Sequence, residues 1–133
     1  MKIHSKITGE LLHIVHRFGD FGPQRVDIVP ASQFLQCAAI NLPVNQTFKP
    51  HKHIENHRVV THAQESWCVI RGKVKAILYD VDDTILEEVE LCAGDISITL
   101  AKAGHNYLAL EPSLVYEYKT PNYEGRERDK IFI

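Results

Sequence analysis

From residue 65 to residue 119 the chain repeats one pattern: a short β-prone run, then a turn built from Gly, Asp, Pro or Ser. Glu65 to Arg71, Val74 to Asp80, Ile85 to Leu91, Ile96 to Leu100, His105 to Leu110 and Leu114 to Lys119 are the runs. Gly72-Lys73, Asp80 to Thr84, Gly94-Asp95, Ala103-Gly104 and Pro112-Ser113 are the breaks. Short strands at intervals of about 8 to 12 residues predict an all-β sandwich or closed barrel. The Gly72-Lys73 pair, flanked by two such runs, predicts a hairpin.

Upstream the pattern is looser. Ile7 to Phe18 reads as a strand or a short helix, closed by Gly19 to Pro23. Arg25 to Val29 reads as a short strand, and the apolar run Phe34 to Leu42 as a strand ended by the Asn41 to Asn45 turn. Phe48 to Ile54 reads as extended, because the residue before Pro50 is pushed out of the helical region. Residues 54–62 then form a polar connection with a β-prone centre at Val59 to Thr61.

At 133 residues, with 44% hydrophobic and 24% charged residues, the chain matches one domain with one core, spanning 1–133. A formal charge of −2 supplies no basic surface for nucleic acid, and no apolar run approaches membrane-spanning length, so neither partner is expected. Cys37, Cys68 and Cys92 sit in apolar runs without metal-knuckle or redox spacing, and read as buried small hydrophobes. With no signal-peptide core at the start, a reducing cytoplasm is the expected location.

His51-Lys52-His53 carries the chemistry. Two imidazoles at i and i+2 on an extended segment point to one side and can share a ligand. Glu65 on the next strand and His105 further on complete a mixed nitrogen and oxygen set of the kind that suits a divalent transition metal, whether iron, zinc, manganese or nickel. Strand parity puts Trp67 and Val69 on the same face as Glu65, and Tyr107 on that of His105. Glu117 and Lys119 share a face. They either reach inward as an acid/base or substrate-anchoring pair, or outward as a solvated ion pair. Arg58 either grips a substrate carboxylate or phosphate, or is a surface loop residue. The aspartates at 80, 82 and 83 lack the partners of a calcium loop and read as a turn.

The order His51-x-His53, Glu65 with six residues between it and Gly72, then Gly94 with His105 eleven positions on, resembles the two motifs of the cupin superfamily. That resemblance implies a jelly-roll β-barrel holding a metal on His51, His53, Glu65 and His105, with a metal-binding core at about 45–110. The gap between His53 and Glu65 is longer than the family pattern, and Leu100 and Lys102 replace its proline and glycine. Glu65-Ser66, Glu117-Tyr118-Lys119, Tyr123 and Asp129-Lys130 further resemble small WbuC-like cupin-fold metalloproteins. A metal-dependent isomerase, epimerase or dioxygenase acting on a small polar molecule is implied. The alternative is a non-catalytic cupin that binds a small ligand. A homodimer is expected in either case.

Overall fold

The computed structural model describes residues 1–100, 102–121 and 130–133, so Tyr123 and Asp129 lie outside the described residues. The described chain is all-β, with antiparallel pairing throughout and one 3-10 turn at Phe18–Asp20. Its strands are β1 (Lys2–His4), β2 (Leu11–His16), β3 (Val26–Asp27), β4 (Ala38–Ala39), β5 (Gln64–Arg71), β6 (Lys73–Tyr79), β7 (Ile85–Cys92), β8 (Ile96–Thr99), β9 (His105–Ala109) and β10 (Leu114–Thr120). A five-stranded sheet runs β1-β2-β8-β5-β10, a three-stranded sheet runs β7-β6-β9, and β3 pairs with β4.

The main core lies between the two larger sheets. Val15, Val69 and Val115 from the five-stranded sheet meet Val74, Ala76, Leu78, Val89 and Leu91 from the three-stranded one. Alternation along each strand produces this face. A second cluster covers the other side of β2 and β8, where Ile14, Ile98 and Leu100 pack against Ile28, Val29 and Ala39. Residues 28–39 therefore cap half of the outer sheet face, which explains why β2 is buried along nearly its whole length.

The expected hairpin at Gly72 is absent. β5 pairs with β8 and β10, whereas β6 pairs with β7 and β9, so the chain changes sheets at Gly72. One residue makes the crossing because its φ of +89° is open to glycine alone at little cost. The crossing is fixed by Lys73, whose amide donates to the Ser113 hydroxyl and whose carbonyl accepts from Leu110.

Three other expectations are corrected. Only Ala38–Ala39 of the Phe34 to Leu42 run is strand, because that segment serves as a cap. Residues 40–63 contain no strand, so the extended entry at Phe48 to Ile54 and the β-prone Val59 to Thr61 pair with nothing in a sheet. Cys92 is exposed, and Cys37 and Cys68 are half-buried rather than enclosed. Parity explains Cys92, which lies opposite Lys73 on the outward face of the three-stranded sheet.

Two buried polar residues tie the sheets and turns together. His13 is fully buried on β2; its Nε2–H donates to the Tyr79 carbonyl at 2.8 Å, leaving Nδ1 to pair with the Thr99 hydroxyl at 3.2 Å. This satisfies a neutral ring. Burial lowers its pKa from the ordinary 6.5, outweighing the Tyr79 bond that raises it. His105 adds a lowering effect and Asp80 a raising one. With a depressed folded value, stability is complete above the unfolded value and declines as pH falls from there through the folded one. Urea midpoints at pH 7.5 and 5.5 should therefore show the advantage of wild type over His13→Gln shrinking at the lower pH. An unchanged advantage would contradict this assignment.

Asp95 anchors the β7–β8 turn by accepting from the Phe18 and Cys92 amides at 2.9 and 3.0 Å and from Arg17 Nη1 at 2.7 Å. Burial acts to raise its pKa, but these donors together lower it. Asp95→Ala should cost about 2 kcal/mol in chemical denaturation, since two partly buried amides lose their acceptor. A cost no greater than that of an exposed surface substitution would refute the role.

Candidate functional site

The polar half of the intersheet space begins where the valine core ends. On β5, Glu65 and Trp67 share the inward face with Val69; on β8 they lie opposite Thr99 and Ser97, and on β10 opposite Lys119 and Glu117. Across from them, β9 contributes His105 and Tyr107, paired with Leu78 and Ala76 of the core. Alternation thus delivers all six side chains to one end of the sandwich. All but Glu117 border a cavity of about 550 Å³, also lined by Lys102 and by Lys130 to Ile133.

Glu65 is the hub. Its Oε1 accepts from Trp67 Nε1 at 3.0 Å and from His105 Nε2 at 3.1 Å. Its Oε2 faces Lys119 Nζ at 3.4 Å and Lys130 Nζ at 4.0 Å. Burial acts to raise its pKa, but the hydrogen bond and charge of His105, followed by the fields of Lys130 and Lys119, hold it down at about 2. The site therefore contains a fixed carboxylate at neutral pH. Desolvation acts to lower the Lys119 pKa, but Glu117, 2.7 Å from its Nζ, and Glu65 raise it overall.

The aromatic wall is equally ordered. Trp67 and Tyr107 stack with ring centroids 4.1 Å apart and planes 10° from parallel. Burial pushes the Tyr107 phenol up to about 12, with Glu65 and Glu117 adding to the rise against the Ser97 and Thr99 hydroxyls. The phenol therefore stays protonated at physiological pH and can only donate a hydrogen bond. His105 Nδ1 is buried without a hydrogen-bond partner among the described residues.

The sequence-predicted residues divide into two groups. Glu65, His105 and Lys119 come together at the cavity, whereas Glu117 pairs with Lys119 at 2.7 Å but is exposed and does not line it. His51 and His53 lie on the exposed segment 40–63, their rings 5.4 Å apart, and neither lines the cavity. Arg58 is exposed on the same segment. His62 packs against Phe34, with centroids 4.8 Å apart. Among the described residues no group of three or more metal-ligating side chains is assembled. Among the described residues the cavity offers only Glu65 and His105 as ligating side chains, already bonded to each other, and these two do not make up a four-ligand metal site. Two participants lacked a sequence signal for their role: Trp67, read only as inward-facing, and Lys130, which drew notice only through the Asp129-Lys130 tail motif.

Fold and site together define an antiparallel all-β protein with a charged, aromatic-walled cavity between its two larger sheets. No protein-family model, no curated protein and no solved structure matches this chain.

Proposed function

We propose that the protein is a small jelly-roll protein of cupin type that takes up a small polar molecule in the Glu65–His105 cavity and acts on it by proton transfer, as an isomerase or epimerase does. One observation supports this most: a buried, ionised Glu65 shared by His105, Trp67 and Lys119 at the wall of a ligand-sized cavity. Perturbed titratable groups gathered in a cleft are the usual signature of working sites. In this reading Glu65 fixes the tautomer and orientation of His105, as a carboxylate does for a catalytic imidazole. Lys119 anchors the polar end of the ligand, Glu117 holds Lys119 in place, and the protonated Tyr107 hydroxyl offers a hydrogen bond. The test is exchange of substrate C–H protons with deuterated solvent across a panel of sugars and hydroxy acids. Enrichment that disappears in His105→Gln supports the reading, while binding without exchange would reduce it to a ligand-binding cupin without catalysis.

A second reading rests on His105 Nδ1, which has no hydrogen-bond partner among the described residues, and on the paired rings of His51 and His53. Here a divalent ion (iron, zinc, manganese or nickel) is held by His51, His53, Glu65 and His105 after segment 40–63 folds inward. Elemental analysis of freshly purified protein tests it directly. Near-stoichiometric metal, lost in both His51→Ala and His105→Ala, would establish the site. A wild type without metal even after loading would exclude it.

A further inference from the structure

One side of the cavity is built differently from the rest. Glu65 and Trp67 stand on β5, His105 and Tyr107 on β9 and Lys119 on β10, all held by sheet pairing. Residues 130–133 also line the cavity, but they form no helix or strand. Ile131, Phe132 and Ile133 are 94%, 77% and 62% exposed. Large apolar side chains left in water, on backbone outside any sheet, belong to the least stable layer of a fold. Such a segment at the rim of a sheet-built cavity is the part that moves when a ligand enters.

Two contacts seat this segment. Lys130 Nζ lies 4.0 Å from Glu65 Oε2, the long limit of an ion pair, with 43% of its side chain in water. A pair of that kind is weak and easily broken. At the other end Ile133 packs on Gly104, in the β8–β9 connection: a Cβ there would stand 2.7 Å from Ile133 Cδ1 and 3.4 Å from Tyr79 Cβ. Gly104 does not have the positive φ of Gly72 or Gly94, so what its missing side chain provides is room for this approach. The Tyr79 amide donates to the Gly104 carbonyl at 3.0 Å and holds the seat in place.

We propose that residues 130–133 are a lid on the cavity, seated on Gly104 by Ile133 and drawn to Glu65 by Lys130, and that ligand enters when those two contacts let go. Closed, the lid keeps water from the Glu65 carboxylate and the Trp67 indole, which strengthens the bonds between them. Open, it leaves Glu65 with His105, Trp67 and Lys119, so the carboxylate keeps its partners. The lid rests on the reading of this cavity as the working site. Its test uses no ligand, so a failed lid shows in access to Trp67 and failed chemistry shows in deuterium exchange.

The sole tryptophan, Trp67, lines the cavity, so acrylamide quenching of its fluorescence, combined with lifetimes to give a bimolecular rate constant, reports opening. The folded wild type should be quenched at least about 3-fold more slowly than the urea-unfolded chain. Lys130→Gln removes the ion pair and Gly104→Ala pushes Ile133 off its seat; each should raise the constant at least about 2-fold, with the β-sheet circular dichroism unchanged. Ile133→Ala should raise it as well. Gly104→Ala combined with Ile133→Ala should be quenched more slowly than either single variant, because the added methyl fills part of the space the isoleucine gives up. Strain confined to the β8–β9 connection would not be relieved by trimming residue 133. A wild type quenched as fast as the unfolded chain would overturn the lid. So would a constant unchanged in Lys130→Gln or in Gly104→Ala, or a double variant without that reversal.

Discussion

Glu65→Ala should abolish ligand handling and lower stability by about 3 kcal/mol, a loss of roughly 10 °C in Tm for a chain of this size. The carboxylate side chain is only 11% exposed and is shared by His105, Trp67, Lys119 and Lys130. Its removal leaves an indole N–H and an imidazole without an acceptor in a partly buried space. Lys119 keeps Glu117, which is why the loss falls at the low end for a broken buried ion pair. Glu65→Gln keeps the shape and one acceptor oxygen, so it should recover most of the stability and none of the function. Glu117→Gln is the control, since its carboxylate is 39% exposed and its loss should cost under about 1 kcal/mol. If Glu65→Ala melts with the wild type, the carboxylate is not the hub described.

Gly72→Ala should cost about 3 to 4 kcal/mol, combining a left-handed backbone with a clash that only main-chain movement can relieve. A Cβ at this position would stand 2.6 Å from the Pro112 carbonyl oxygen and 2.7 Å from Ser113 Cα. Both belong to the β9–β10 turn, which is held to Lys73 by backbone and hydroxyl bonds and cannot yield cheaply. Because β5 and β6 lie in different sheets, strain here separates the two layers. Gly19→Ala is the comparison, because a Cβ there meets nothing within 4 Å and should change stability by less than about 0.5 kcal/mol. Equal denaturation midpoints for the two variants would show that the sheet change does not depend on Gly72.

Parity was the legible part of the site. Two-residue alternation alone places Glu65, Trp67 and Val69 on one face, and sets Tyr107 with His105 and Glu117 with Lys119; the structure shows each grouping. Alternation does not reveal which strands pair. A run ending at Gly72 and another starting at Lys73 look the same whether they fold back as a hairpin or cross between sheets. The φ of Gly72 and the approach of Pro112 decide that, and both come from tertiary structure. The same limit applies to residues 40–63. His51 and His53 have the spacing to share a ligand on a strand, but spacing cannot supply a neighbouring strand, and none pairs with them. Lys130 reaches Glu65 from far along the chain, a proximity that composition and periodicity do not encode.

Trp67 is the chain's only tryptophan, and its indole N–H points at Glu65, so one nucleus reports on the site. The most direct measurement is the indole N–H resonance of Trp67 in ¹H–¹⁵N NMR spectra while sugars and hydroxy acids are titrated in. A ligand that binds should move that resonance together with the amides of His105, Tyr107 and Lys119, and Glu65→Gln should abolish the shifts. A ligand that binds while leaving Trp67 unmoved, with its shifts confined to residues 40–63 or the outer sheet face, would contradict the cavity as the working site.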